Sequence, residues 1–169
     1  MCTTAYKVDA ASDRRRRENV PRHILCAIAG WKGKIMELFL GGCYQGKKEY
    51  VLKLHPECKG QVIEGENLPA DWDGMIKELQ EFENPVINHL HLWIRKCLEQ
   101  QTDVELLADK LLETYPGLIF ICDEIGNGIV PMDALERDYR ERTGRLQIRI
   151  AGKAERVERI VCGISQRLK

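Results

Sequence analysis

The sequence predicts an α/β fold in which a mostly parallel sheet is flanked by helices. Three observations lead there. Short apolar runs alternate along the chain with segments of helical periodicity, the order that builds parallel sheets. One run, Leu-Ile-Phe-Ile-Cys at residues 118–122, is apolar without interruption, as a strand buried on both faces requires. Another, residues 38–40, leads into a glycine-rich turn and then a helix, the connection that shapes anion sites in α/β proteins. The 169 residues fit one domain with a single core.

Residues 1–35 show neither helical nor alternating periodicity, and the consecutive Arg14, Arg15, Arg16 and Arg17 repel one another. We expect a disordered basic tail there, or upstream sequence translated ahead of an authentic start at Met36. The folded domain is expected over residues 36–169. The first strand then runs into Gly41-Gly42-Cys43-Tyr44-Gln45-Gly46-Lys47-Lys48. Gly41, Gly46 and Lys47 satisfy the G-x-x-x-x-G-K pattern of a phosphate-binding loop, and the strand before it supplies the context the motif needs. The glycines let successive backbone N–H groups point inward at an anion, Lys47 adds a charge, and a helix begins with its positive end at the same point. Residues 41–48 are therefore the candidate nucleotide-binding segment of a P-loop NTPase-type domain, with ATP or GTP as the ligand. The motif's next position is normally Ser or Thr, whose hydroxyl holds magnesium. Here it is Lys48, which cannot ligate a metal.

Residues 48–54 read as a short helix ended by His55-Pro56, residues 61–63 as a second strand, and residues 65–70 as a loop. Residues 71–82 read as a helix capped by Asp71, with Trp72, Met75, Ile76, Leu79 and Phe82 at helical spacing. A third strand opens at Pro85 and turns into a helix through Leu98. Where such a strand commonly ends in an aspartate that holds the magnesium shell, this one has Asn88. His89 and His91, two apart, share a face of an extended segment, but no third ligand lies near them and no metal site is assigned. Residues 103–115 read as an amphipathic helix capped by Thr102. The apolar strand 118–122 delivers Asp123 and Glu124 to its carboxyl end, where ligands bind in open α/β sheets. After the Gly126-Asn127-Gly128 loop, a basic helix is expected from Met132 to about Glu155, and residues 157–162 close the sheet.

Composition narrows the partners. The chain balances 26 basic against 26 acidic residues, but residues 1–35 hold eight basic and three acidic, so the remainder carries a surplus of five negative charges. Neither nucleic acid nor an anionic membrane is expected as a partner of such a body. Seven scattered cysteines with no C-x-x-C pair point to a reducing, cytoplasmic setting. No run of 18 apolar residues exists, and the N-terminus lacks the apolar core of a signal peptide.

Three stretches together resemble one family. Asp123-Glu-Ile-Gly-Asn-Gly-Ile-Val-Pro131, then Arg137-Asp-Tyr-Arg-Glu-Arg-Thr-Gly-Arg145, then a final strand ending in Gly163-Ile164, follow the order found in the cobinamide kinase/cobinamide-phosphate guanylyltransferases of cobalamin biosynthesis. The 41–47 loop resembles that family's N-terminal motif, and Asn88-His-Leu-His-Leu-Trp93 is similar to its D-C-L-T-L-W. The resemblance covers residues 36–169. It implies a P-loop enzyme, bifunctional in the full family, that uses ATP or GTP to phosphorylate the terminal hydroxyl of cobinamide's aminopropanol arm, and it implies a homotrimer. It also implies guanylyl transfer through a histidine in a basic loop after the second strand. No histidine lies between His55 and His89, so that step lacks its nucleophile here. With Lys48 and Asn88 at both magnesium positions, Mg²⁺ is left open.

Three readings follow. In the first, the chain is a cobinamide kinase with Lys47 and Glu124 as catalytic residues, Glu124 being the carboxylate for metal or hydroxyl. In the second it is a catalytically silent nucleotide-binding relative that acts as a sensor or partner subunit. In the third it is a P-loop kinase of another small substrate.

Overall fold

The computed structural model describes residues 34–169. Apart from residues 34 and 35, the segment expected to be a tail or an upstream extension lies outside the described residues. Within them the chain forms β1 (Glu37–Gly41), α1 (Lys47–Leu54), β2 (Val62–Glu64), α2 (Trp72–Leu79), β3 (Val86–Asn88), α3 (Leu90–Glu99), α4 (Val104–Thr114), β4 (Ile119–Asp123), α5 (Ala134–Lys153), β5 (Arg156–Val161) and β6 (Ile164–Arg167). A single 3-10 turn, Pro56–Cys58, follows α1.

The sheet has the order β2-β3-β4-β1-β5-β6. Every pairing is parallel except β5 with β6. This is the mostly parallel, helix-flanked sheet expected from the sequence. β4 sits between β3 and β1, and all five of its residues are buried, which explains its unbroken apolar run. One face of the sheet, with Leu38, Ile87, Phe120 and Val157, packs under α2 to α5 through Leu79, Trp93, Leu111 and Ile150. On the other face Phe39, Val86, Ile121 and Ile160 meet Val51 of α1 and Cys58 of the 3-10 turn. α5 is basic and largely solvated, yet Tyr139, Thr143, Leu146 and Ile150 hold it to the core.

Several expected boundaries move. α4 is capped by Asp103, which accepts from the Leu106 amide at 3.0 Å, and not by Thr102. A carboxylate one residue closer to the first turn reaches the free amide, so the hydroxyl is left outside. α2 stops at Leu79, short of Phe82, although its Asp71 cap is as expected and accepts from the Gly74 amide at 2.8 Å. The basic helix starts at Ala134, where Asp133 caps it, and stops at Lys153. Residues 157–162 do not close the sheet: β5 lies beside β1, and β6 forms the edge. The turn between them has Cys162 and Gly163 at φ 51° and 76°, the paired positive values of a tight hairpin. Arg137 and Arg140 use their guanidiniums to hold the preceding loop, donating to the carbonyls of Pro131, Met132 and Ile129. Among the described residues no helix is long and apolar enough to cross a membrane.

Candidate functional site

Four parallel strands deliver their carboxyl ends to one cleft of about 750 Å³. β1 ends in the glycine loop, β2 in Glu64, β3 in Asn88 and β4 in Asp123, and each of these contributes to the lining. Clefts at this edge of an α/β sheet are where such folds bind ligands, because the strand ends and helix starts converge there.

The glycine loop takes its shape from close packing. Gly41 has φ 154°, and a Cβ at that position would come within 2.3 Å of the Ile160 carbonyl of β5, so only glycine lets the loop leave the sheet there. Gln45 ties the loop to the β5–β6 turn: its side-chain oxygen accepts from the Cys162 amide at 2.6 Å and its carbonyl accepts from the Gly163 amide at 2.9 Å. Gly46, with φ 77°, precedes the first turn of α1. Cys43, Tyr44, Gln45, Gly46, Lys47 and Lys48 all line the cleft, and Tyr44 is fully exposed. Gly41 and Gly42 stand just before these residues; the Gly42 carbonyl accepts from Lys47 Nζ at 2.7 Å.

Lys47 is buried and its ammonium also lies 2.7 Å from Asp123 Oδ1. Burial alone raises the Asp123 carboxyl, but the hydrogen bond and charge of Lys47 outweigh it and leave the group below its ordinary range. Beside the pair, His91 is buried with Nδ1 3.4 Å from the Asp123 amide. Burial pushes its imidazole down to about 4, against the attraction of Asp123, so the ring is neutral at neutral pH.

The two positions where the motif would hold magnesium both turn toward Glu64. Lys48 Nζ donates to Glu64 Oε1 at 2.8 Å, and Asn88 Nδ2 donates to Oε2 at 2.7 Å. His89 Nδ1 is 2.9 Å from the same Oε2. Desolvation raises the Glu64 carboxyl, but these three partners and the Lys48 charge outweigh it and hold it below its usual range. Glycine again permits the arrangement: a Cβ on Gly65 would meet the His89 carbonyl at 2.3 Å, and the Gly65 amide donates to the Asn88 carbonyl at 2.7 Å. These residues do not fit a protein-held magnesium ion. An ammonium and an amide donate where a metal needs oxygen donors, and the carboxylate between them is already satisfied. Among the described residues no group of three or more His, Cys, Asp or Glu could hold a metal.

The structure brings the 41–48 segment together with Asp123; the Glu124 amide donates to the Gly41 carbonyl at 3.0 Å, but its carboxylate turns out of the cleft. Glu124 Oε2 pairs with Arg159 at 2.8 Å and lines a separate cavity of about 280 Å³ with Arg140 and Gln147. Glu64 is the carboxylate that sequence reasoning passed over. Its signal was its position, the acidic last residue of a strand at the ligand-binding edge.

Comparison with known proteins gives a family match and a similar curated protein. Residues 48–168 match the model of the family described as cobinamide kinase/cobinamide phosphate guanyltransferase. The chain is also similar to the bifunctional adenosylcobalamin biosynthesis protein CobU of Salmonella typhimurium, with 28% identity over 108 residues. That alignment covers 64% of this chain and 49% of the Salmonella protein, so it spans about half of the relative's length.

Proposed function

The chain belongs to the cobinamide kinase/cobinamide phosphate guanyltransferase family, and from that premise we propose that it binds ATP or GTP in the cleft and transfers the terminal phosphate to the aminopropanol hydroxyl of cobinamide. The observation that carries this reading is the meeting of Lys47, at the first turn of α1, with a glycine loop and three further strand ends at one edge of the sheet. In this reading the loop amides and the α1 dipole take the β- and γ-phosphates. Lys47 exchanges its contact with Asp123 for a phosphate oxygen, as a point charge on a long stem can. Catalysis of this kind rests on position and charge neutralisation, both of which the loop and Lys47 supply. Guanylyl transfer through the family's acceptor histidine has no residue to carry it, because residues 56–88 contain no histidine.

One observation favours a second reading. The Lys48–Glu64 pair and the Asn88 amide occupy the positions through which the motif would hold magnesium, which suits a relative that binds nucleotide without turnover. The discriminating experiment is incubation of the full chain with cobinamide, Mg²⁺ and GTP or ATP, followed by mass analysis of the corrinoid. A gain of one phosphate supports the kinase. No gain in a preparation that binds nucleotide supports the silent relative.

A further inference from the structure

His89 stands at the first turn of α3 with φ 51°, a left-handed conformation that a residue with a side chain seldom holds. It lines the phosphate cleft and its side chain is about 41% exposed. Glu64 fixes the ring at one end only. His89 Nδ1 has two neighbours, Glu64 Oε2 at 2.9 Å and the Asn88 Nδ2 amide at 3.1 Å; the amide already donates to that carboxylate at 2.7 Å, and the carboxylate can only accept, so we assign the Nδ1 proton to the Glu64 contact. The lone pair is left on Nε2, which has no hydrogen-bond partner among the described residues. A carboxylate-oriented imidazole with one free nitrogen, on a residue that lines a ligand cleft, is the arrangement of a general base.

We propose that His89 is the catalytic base of this site and that Glu64 is its positioning residue. The proposal rests on the phosphoryl-transfer reading above. The acceptor's hydroxyl proton passes to His89 Nε2 as its oxygen bonds to the γ-phosphorus. The bond from that phosphorus to the β–γ bridging oxygen breaks, and its electron pair leaves on the nucleoside diphosphate. The imidazolium is steadied by Glu64 at Nδ1 and then gives its proton to water. His91, two residues on, does not share the role: its ring is buried, with Nδ1 turned to the Asp123 amide.

The test uses the full chain, cobinamide and the nucleotide that gives turnover. His89→Gly suits the left-handed backbone and leaves a ring-sized space open to the cleft. We expect kcat to fall about 100-fold, as loss of a general base does, while nucleotide affinity by calorimetry stays within twofold. Added free imidazole should restore a large part of the loss, which a purely structural role does not allow. Unchanged kcat in His89→Gly overturns the proposal, and so does a loss that imidazole leaves untouched. No phosphate transfer by the unsubstituted chain overturns the functional reading itself, and the base with it.

Discussion

Lys47 Nζ lies 2.7 Å from Asp123 Oδ1, which ties the first residue of α1 to the last residue of β4 at the bottom of the cleft. Both side chains are buried, so each is the other's main compensation for lost hydration. Asp123→Asn should therefore leave a buried ammonium without a counter-charge and destabilise the protein by about 3 kcal/mol in urea unfolding. A loss below about 1 kcal/mol, the range of exposed pairs, contradicts the account.

Gly65→Ala is expected to be costly although the residue lies in a loop. The added Cβ meets the His89 carbonyl at 2.3 Å, so β2 and β3 must separate where Glu64 joins Asn88 and His89. Overpacking of this kind costs about 1–3 kcal/mol. Chemical denaturation measures it, and an unchanged midpoint would show that the Glu64 cluster does not depend on close approach.

Acid should weaken the fold through His91. Its folded pKa, about 4, is below the ordinary value of 6.5, so the unfolded chain binds the proton more readily. The stability contribution is complete above about 6.5 and is lost as the pH falls toward 4, with the lowered carboxyls of Asp123 and Glu64 adding to the loss at the acid end. After allowance for solvent screening, the His91 share is about 1–2 kcal/mol. His91→Asn keeps an acceptor near the Asp123 amide and removes the titration. Its stability should fall less between pH 6.5 and 4.5, and an identical slope would assign the effect elsewhere.

The cap of α4 gives a paired comparison. Asp103→Ala should cost about 1 kcal/mol, as loss of a capping acceptor does. Thr102→Ala should stay within about 0.5 kcal/mol. The reverse order in thermal or urea unfolding would return the cap to Thr102.

The β1–loop–α1 unit and β4 were legible in the sequence because their signals are local: glycine spacing in one, an unbroken apolar run in the other. The Glu64 cluster was not, since Lys48, Glu64 and Asn88 come from three separate elements and meet only through parallel register and the close approach at Gly65. β6 was missed for a different reason. Its four residues are mostly exposed and carry no clear alternation, so only Gly163 in the turn marked the hairpin. Glu124 was read with Asp123 because the two are adjacent in sequence. Yet Glu124 lies past the end of β4, its carboxylate reaching Arg159 in a neighbouring cavity. The departures Lys48 and Asn88 were visible at once, but their shared partner was visible only in three dimensions.

The central claim is that Lys47 and the glycine loop hold a nucleotide's phosphates, and calorimetry of ATP and GTP binding tests it most directly. The comparison is between the unsubstituted chain and a Lys47→Ala/Asp123→Asn double variant, which leaves neither buried charge alone. The account predicts at least a tenfold loss of affinity, about 1.4 kcal/mol or more, in a variant whose circular dichroism is unchanged. Equal affinity in the two proteins would contradict it and move the nucleotide out of this cleft.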